Sequence, residues 1–479
     1  MVFHSVHYLL FLCVAVLVYY ATPFRARWIP LLAASCAFYM SWRLEFVFVL
    51  FSIIAIQYVL ALRMGQQGEE KKRRWYLFAS LAVGLGLLVY FKYAMAIRLG
   101  LLRLLAPAGS APAPSPATLL VPIGISFYTL QTIGYLIDVY HGRRQPEKHF
   151  GIFAVFVSFF PIVLSGPIER ADHLLPQLQK EEQIPFLYGN ISEGVKLIIW
   201  GFFLKLVIAD RAALYVNAVF GHPDRHSGLT FLVATIFYSF QIYCDFAGYS
   251  SVAIGSAKLL GIDILPNFRR PYLAVSIKDF WRRWHITLSD WLRDYIFLPL
   301  AYALSERVPE KRYGSRRVVI YVAAIFVTFA LCGLWHGPNA TFLVWGCLHG
   351  LYLAVENSFG VGSRQRLVGI ARTYVLVLIS YIFFRAETVS GALEILRQIV
   401  TAPGHLFIPG GADVVAPLYA IAGIALLIVI EMKREFYTGT WSFFGHRNEY
   451  IRVLAYSLLV GIIVSTGVFD GGQFIYAQF

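Results

Sequence analysis

The chain has 479 residues, 58% hydrophobic and 16% aromatic, with only 14% charged and a mean hydropathy of +0.64. Soluble proteins carry roughly a quarter charged residues, so a soluble globular enzyme and a disordered chain are both excluded. The formal charge of +14 comes from short basic runs between apolar stretches, the pattern of cytoplasmic loops in membrane proteins and not a nucleic-acid footprint.

Apolar stretches close to the ~20 residues that cross a bilayer recur at 6–22, 44–62, 75–97, 119–140, 150–168, 191–209, 229–248, 318–334, 341–355, 367–384, 416–430 and 451–469. The first lacks a basic n-region and a small-x-small cleavage site, so it reads as a span or anchor. Shorter stretches such as 28–42 read as broken, re-entrant or interfacial, giving about eleven to thirteen membrane segments. Arg63, Lys71, Lys72, Arg73 and Arg74 place 63–75 in the cytoplasm. Arg307, Lys311, Arg312, Arg316 and Arg317 place 305–317 on the same side. Residues 107–116, rich in Pro and Ala, form a semi-rigid connector. No internal repeat is visible, against an inverted-repeat transporter.

The five cysteines lie scattered in apolar stretches without CxxC spacing, so neither a disulfide framework nor a zinc site is expected. His222 and His226 have helical ligand spacing, but Pro223 lies between them and Gly221 and Gly228 flank them. No metal site follows.

Residues 277–295 are too charged to cross lipid, yet Trp281, Trp284, Leu288, Trp291 and Tyr295 recur at spacings of three and four. That periodicity predicts one amphipathic helix lying in the membrane interface. His285 sits at the flank of its apolar face, where it can turn inward; an interfacial histidine without chemistry is the plain alternative. Downstream, an apolar run ends in Gly333-Leu334-Trp335-His336-Gly337-Pro338. An ionisable group at membrane depth is a functional candidate, glycine on both sides permits close approach, and Pro338 ends the helix. A core histidine bonded to a neighbouring helix is the plain alternative.

Together these residues carry a resemblance. Val121-Pro122-Ile123-Gly124-Ile125-Ser126-Phe127-Tyr128, Ser165-Gly166-Pro167-Ile168-Glu169-Arg170, Asp245-Phe246-Ala247-Gly248-Tyr249-Ser250 and Asn267-Phe268 occur in this order. They are followed by Phe280-Trp281-Arg282-Arg283-Trp284-His285 and Gly333-Leu334-Trp335-His336-Gly337. The chain resembles, over nearly its whole length, the membrane-bound O-acyltransferase family, in the bacterial branch of alginate-type polysaccharide O-acetyltransferases. The resemblance implies a single all-α, polytopic integral membrane domain over 1–479, folded around a transmembrane catalytic tunnel, in the cell (inner) membrane.

It further implies that His336 and His285 are catalytic, with His336 as the base and His285 either orienting the acceptor or stabilising charge on the carbonyl oxygen. Acyl transfer to a hydroxyl needs such a group, and imidazole titrates near neutral pH. Gln131, Asp245 and Ser289 are candidates for tunnel-lining or supporting polar groups, with ordinary helix–helix hydrogen bonding as the alternative. The terminal Phe474-Ile475-Tyr476-Ala477-Gln478-Phe479 matches a family ending that makes Tyr476 an acyl relay; an aromatic terminus docked at the interface is the plain alternative.

The expected activity is transfer of acetyl from a cytoplasmic thioester, acetyl-CoA, towards O-acetylation of an exported polysaccharide or cell-wall glycan. No bound cofactor is expected. The expected partners are an extracytoplasmic acetyltransferase, membrane lipid and, indirectly, the polysaccharide; nucleic acid is not one. D-alanyl transfer to teichoic acid and a non-enzymatic transporter or flippase are the alternatives. Residues 299–306 depart from the branch's pattern, which has a glycine pair and an asparagine there, so partner and acceptor stay open.

Overall fold

A computed structural model describes residues 1–105, 121–179, 186–308, 310–359, 365–410, 414–437 and 448–469. The connector at 107–116 and the terminal motif with Tyr476 lie outside these residues. Among the described residues every regular element is helical. Among the described residues, seven helices are long and apolar enough to cross a membrane: Leu44–Gln66, Glu70–Ala94, Gly228–Leu259, Arg316–His336, Arg366–Arg385, Val415–Phe436 and Glu449–Thr466. The predicted stretch at 341–355 lies in the 20-residue helix Ala340–Phe359, and that at 6–22 in the 16-residue helix Val6–Ala21.

The chain forms two compact units, Met1–Ile191 with Ser256–Leu265, and Ser192–Gly255 with the residues from Pro266 onward. The first holds α1 (Val6–Ala21), α2 (Trp28–Met40), α3 (Leu44–Gln66), α4 (Glu70–Leu105), α5 (Ile125–Tyr140), α6 (Phe150–Ser158) and α7 (Ala171–Gln179). The predicted span at 119–140 enters its helix only at Ile125, because Gly124 adopts φ +81°. A Cβ on Gly124 would lie 2.1 Å from the Val163 carbonyl oxygen, so only glycine lets these two backbones meet.

The predicted span at 150–168 is helical only to Ser158 and continues as buried irregular backbone, which is tolerated at membrane depth where protein covers it. The Glu169 carboxylate closes this segment. It accepts the Leu265 N–H at 2.6 Å and pairs with His173 Nδ1 at 2.7 Å. Burial raises the Glu169 carboxyl above its usual range, and the hydrogen bond to Glu169 raises His173.

In the second unit α8 (Tyr188–Phe202) runs through a π-helical segment, Phe203–Ala209, into α9 (Asp210–Phe220). The long α10 (Gly228–Leu259) follows, then α11 (Ile277–Trp281) and α12 (Ile286–Leu292). A second π-helical segment, Arg293–Phe297, leads into α13 (Leu298–Glu306). The remainder is α14 (Glu310–His336), α15 (Ala340–Phe359), α16 (Arg366–Arg385), α17 (Val389–Thr401), α18 (Val415–Phe436) and α19 (Glu449–Thr466).

The single amphipathic helix predicted over 277–295 is corrected here to two short helices. Trp281, Trp284, Leu288 and Trp291 are buried as their spacing required. The helix nonetheless breaks between Trp281 and Ile286, because outside backbone claims the bonds that would have continued it. Arg269 N–H donates to the Arg283 carbonyl and Ile286 N–H to the Asn267 carbonyl, both at 2.9 Å.

Candidate active site

The break is anchored on both sides. Ser276 Oγ caps α11 by accepting the Asp279 N–H at 3.0 Å. Glu356 of α15 accepts the next orphan donors, Ile277 N–H at 2.7 Å and Lys278 N–H at 3.1 Å. Arg283 is held by Asp279 at 2.9 Å and by Glu435 of α18, whose carboxylate also takes Arg270 and Arg366, each at 2.8 Å.

Between these anchors His285 is forced to φ 42°, ψ 53°. A left-handed conformation costs a non-glycine residue about 1–2 kcal/mol. In return its imidazole leaves the helix flank and turns inward, where it is 1% exposed. Its ring meets Phe246 of α10 edge-on at 4.7 Å and Trp335 at 6.3 Å. Its Nδ1 lies 3.1 Å from Asn267 Oδ1.

His336 is the last residue of α14 and is 3% exposed. Pro338 stops the helix, and Asn339 Oδ1 starts α15 by accepting the Thr341 N–H at 3.2 Å. The two legs of this hairpin touch backbone to backbone. A Cβ on Gly333 would sit 2.4 Å from the Phe342 carbonyl oxygen, and one on Gly346 would sit 2.2 Å from that of Phe329. The hairpin tip is walled by aromatics: the His336 ring lies 4.9 Å from Trp335, 5.0 Å from Trp345 and 5.1 Å from Phe384. Trp335 touches both imidazoles, so the structure brings His285 and His336 into one aromatic shell. Such walls exclude water, which would otherwise hydrolyse an activated acyl donor.

Three of the remaining sequence candidates bond to groups other than the two histidines. Gln131 is buried in the first unit, where Nε2 donates to the Phe156 carbonyl at 2.6 Å. Asp245 adjoins Phe246, which packs on His285, but its own carboxylate is bound to Lys205 at 2.6 Å. Ser289 lies one turn after His285 and donates to the Trp284 carbonyl at 3.2 Å. Tyr476 is outside the described residues.

Two groups were not singled out from the sequence. His349 of α15 is fully buried between Trp281 and Trp345. Trp281 Nε1–H donates to its Nδ1 at 3.2 Å. Ser380 Oγ already donates to the Val377 carbonyl at 2.7 Å, so it accepts from His349 Nε2–H at 3.0 Å. Both ring nitrogens are thus engaged, which makes His349 a structural histidine. Lys205, in the first π-helical segment, joins Asp210 at 2.9 Å and Asp245 in a buried triad. An ionisable residue inside an apolar run was the available signal for both.

A sequence profile of MBOAT, the membrane-bound O-acyltransferase family, matches residues 149–386, the stretch that contains both catalytic candidates. A probable alginate O-acetylase AlgI of Pseudomonas aeruginosa is 36% identical over 399 residues, covering 82% of this chain and 73% of that protein. The chain belongs to the membrane-bound O-acyltransferase family. A peptidoglycan O-acetyltransferase of Helicobacter pylori is 33% identical over 414 residues, 80% of this chain and 75% of that one. A teichoic acid D-alanyltransferase of Bacillus subtilis is 29% identical over 254 residues, 52% of this chain and 62% of its own. As a membrane-bound O-acyltransferase with seven candidate spans among its described residues, the protein is a multi-pass membrane enzyme.

Proposed function

We propose that this acyltransferase takes acetyl from acetyl-CoA on the cytoplasmic side and passes it across the membrane for O-acetylation of an exported polysaccharide or cell-wall glycan. The observation that carries the reading is the single aromatic shell holding His285 and His336, in a chain whose relatives include alginate and peptidoglycan O-acetylases. In the first transfer His336 removes the proton from the acceptor hydroxyl, which we assign to Tyr476. The oxygen attacks the thioester carbonyl carbon, forming the ester C–O bond. Collapse of the tetrahedral intermediate breaks the C–S bond, and the departing thiolate takes the proton back from the imidazolium. The products are an acetylated tyrosine and free thiol. An aryl ester remains activated for a second transfer, which we assign to an extracytoplasmic partner acetyltransferase.

The test is reconstitution in liposomes with radiolabelled acetyl-CoA, followed by proteolysis. Label is expected on the peptide carrying Tyr476, and His336→Ala, correctly inserted, should lose it. Undiminished transfer by His336→Ala would overturn the assignment of the base; undiminished glycan acetylation by Tyr476→Phe would overturn the relay. D-alanyl transfer is the second reading, supported by the Bacillus subtilis relative. It requires labelled D-alanine from a carrier thioester to load the chain while acetyl-CoA does not.

A further inference from the structure

Asn267 precedes the break that carries His285, and its side chain is fully buried. Its carboxamide faces three groups: His285 Nδ1 at 3.1 Å, Thr287 N–H at 3.2 Å and Thr287 Oγ1 at 2.9 Å. The backbone N–H of Thr287, in the first turn of α12, is only ever a donor. The atom facing it must therefore be the amide oxygen and not the amide nitrogen. Because an amide oxygen only accepts, the His285 Nδ1 facing the same atom must carry a proton. A neutral imidazole has one N–H, so its lone pair lies on Nε2.

We infer that Asn267 is a positioning residue that locks His285 in the Nδ1–H form, so that Nε2 serves the reaction as a hydrogen-bond acceptor. This deepens the proposed acyl transfer and rests on it. An acceptor at Nε2 takes a hydrogen bond from the hydroxyl of the incoming acceptor as it docks, before that proton passes to His336; it offers nothing to the negative oxygen that develops on the thioester carbonyl. Of the two roles open to a second histidine here, orienting the hydroxyl is the one the geometry supports. Asn267 is neutral, so it fixes the tautomer without favouring the imidazolium, which a carboxylate in the same place would do. Among the titratable and charged groups on the elements packed against His285 are Asp245 of α10, tied to Lys205, His336 of α14, and Arg270 beside Asn267, tied to Glu435. On its own segment they are Arg283, tied to Asp279 and Glu435, and the half-buried Asp290.

Asn267→Asp keeps an acceptor for Thr287 and for His285 Nδ1–H but adds a charge. The expected result is an acid limb of kcat moved to higher pH by about one unit or more, with KM for acetyl-CoA unchanged. Asn267→Ala is expected to lower kcat about tenfold or more across the whole pH range. An unmoved acid limb in Asn267→Asp overturns the inference, as does a raised KM for acetyl-CoA without that movement. If the variants fail to fold, ¹⁵N-histidine NMR of the unaltered enzyme decides, with the His285 signal assigned by its loss in His285→Gln. Protonated Nδ1 with unprotonated Nε2 supports the inference, and the opposite tautomer overturns it. This readout needs no turnover. Absence of acetyl transfer in the unaltered enzyme therefore counts against the proposed function alone.

Discussion

Gly346→Ala tests how the hairpin of α14 and α15 sets the position of His336. Replacing glycine by alanine inside a helix normally gains about 0.8–1 kcal/mol from propensity alone. At Gly346 the added methyl would lie 2.2 Å from the Phe329 carbonyl oxygen, more than 1 Å inside ordinary contact, and the obstacle is backbone that cannot rotate away. Overpacking of this kind costs about 1–3 kcal/mol, enough to cancel the propensity gain and reverse it. The strain must separate the two legs, and Trp345, next in sequence, carries the shift directly to the His336 ring. A misplacement of ~1 Å at a reacting group costs about 10² in rate. Gly461→Ala is the control, because nothing lies within 4 Å of a Cβ there. Purified variants are compared for apparent melting in detergent and for acetyl transfer in liposomes. Gly461→Ala should melt no lower than the unaltered protein and turn over normally; Gly346→Ala should melt lower and lose about two orders of magnitude in rate. Normal melting and normal turnover by Gly346→Ala would refute the idea that backbone contact fixes the site.

Three further outcomes follow from the buried and half-buried polar groups. Lys205→Met leaves Asp210 and Asp245 buried without their cation, which should destabilise the protein by about 3–5 kcal/mol, read as loss of monodisperse protein on solubilisation. His349→Ala strands the Trp281 N–H and removes a donor to Ser380, so it should lower stability by about 1–3 kcal/mol. It should still retain measurable transfer, unlike His336→Ala, which the liposome assay distinguishes. His173 has its pKa raised above 6.5, chiefly by its hydrogen bond to Glu169. Its contribution to stability is therefore complete below pH 6.5 and fades as pH rises through the elevated folded value. His173→Gln should narrow its deficit in melting temperature relative to the unaltered protein across that window, checked by melting curves between pH 5.5 and 8.5.

Helices with a continuous apolar face were legible from periodicity, because length and hydropathy are local properties. Both histidines were legible as well, His336 from the Gly-Pro context that ends its helix and His285 from its place beside the tryptophan stripe. The break at His285 was not legible. Nothing in residues 277–295 forbids a helix, and the interruption is imposed by the backbone of Asn267 and Arg269, distant in sequence. His349 illustrates the converse difficulty. An apolar run flanked by glycine marks a buried histidine but cannot show whether its nitrogens are engaged, and here Trp281 and Ser380 engage both. Asp245 likewise reads as a polar group at membrane depth, and only folding shows that Lys205 neutralises it.

The left-handed backbone at His285 sets stability against function at one codon. Glycine would adopt this conformation without strain and asparagine with less of it. A selection that rewards only folding or expression should therefore drift towards those residues at position 285, while one that demands acyl transfer should restore histidine. Variants chosen for robustness are expected to lose the site first where the chain is most reluctant to hold it.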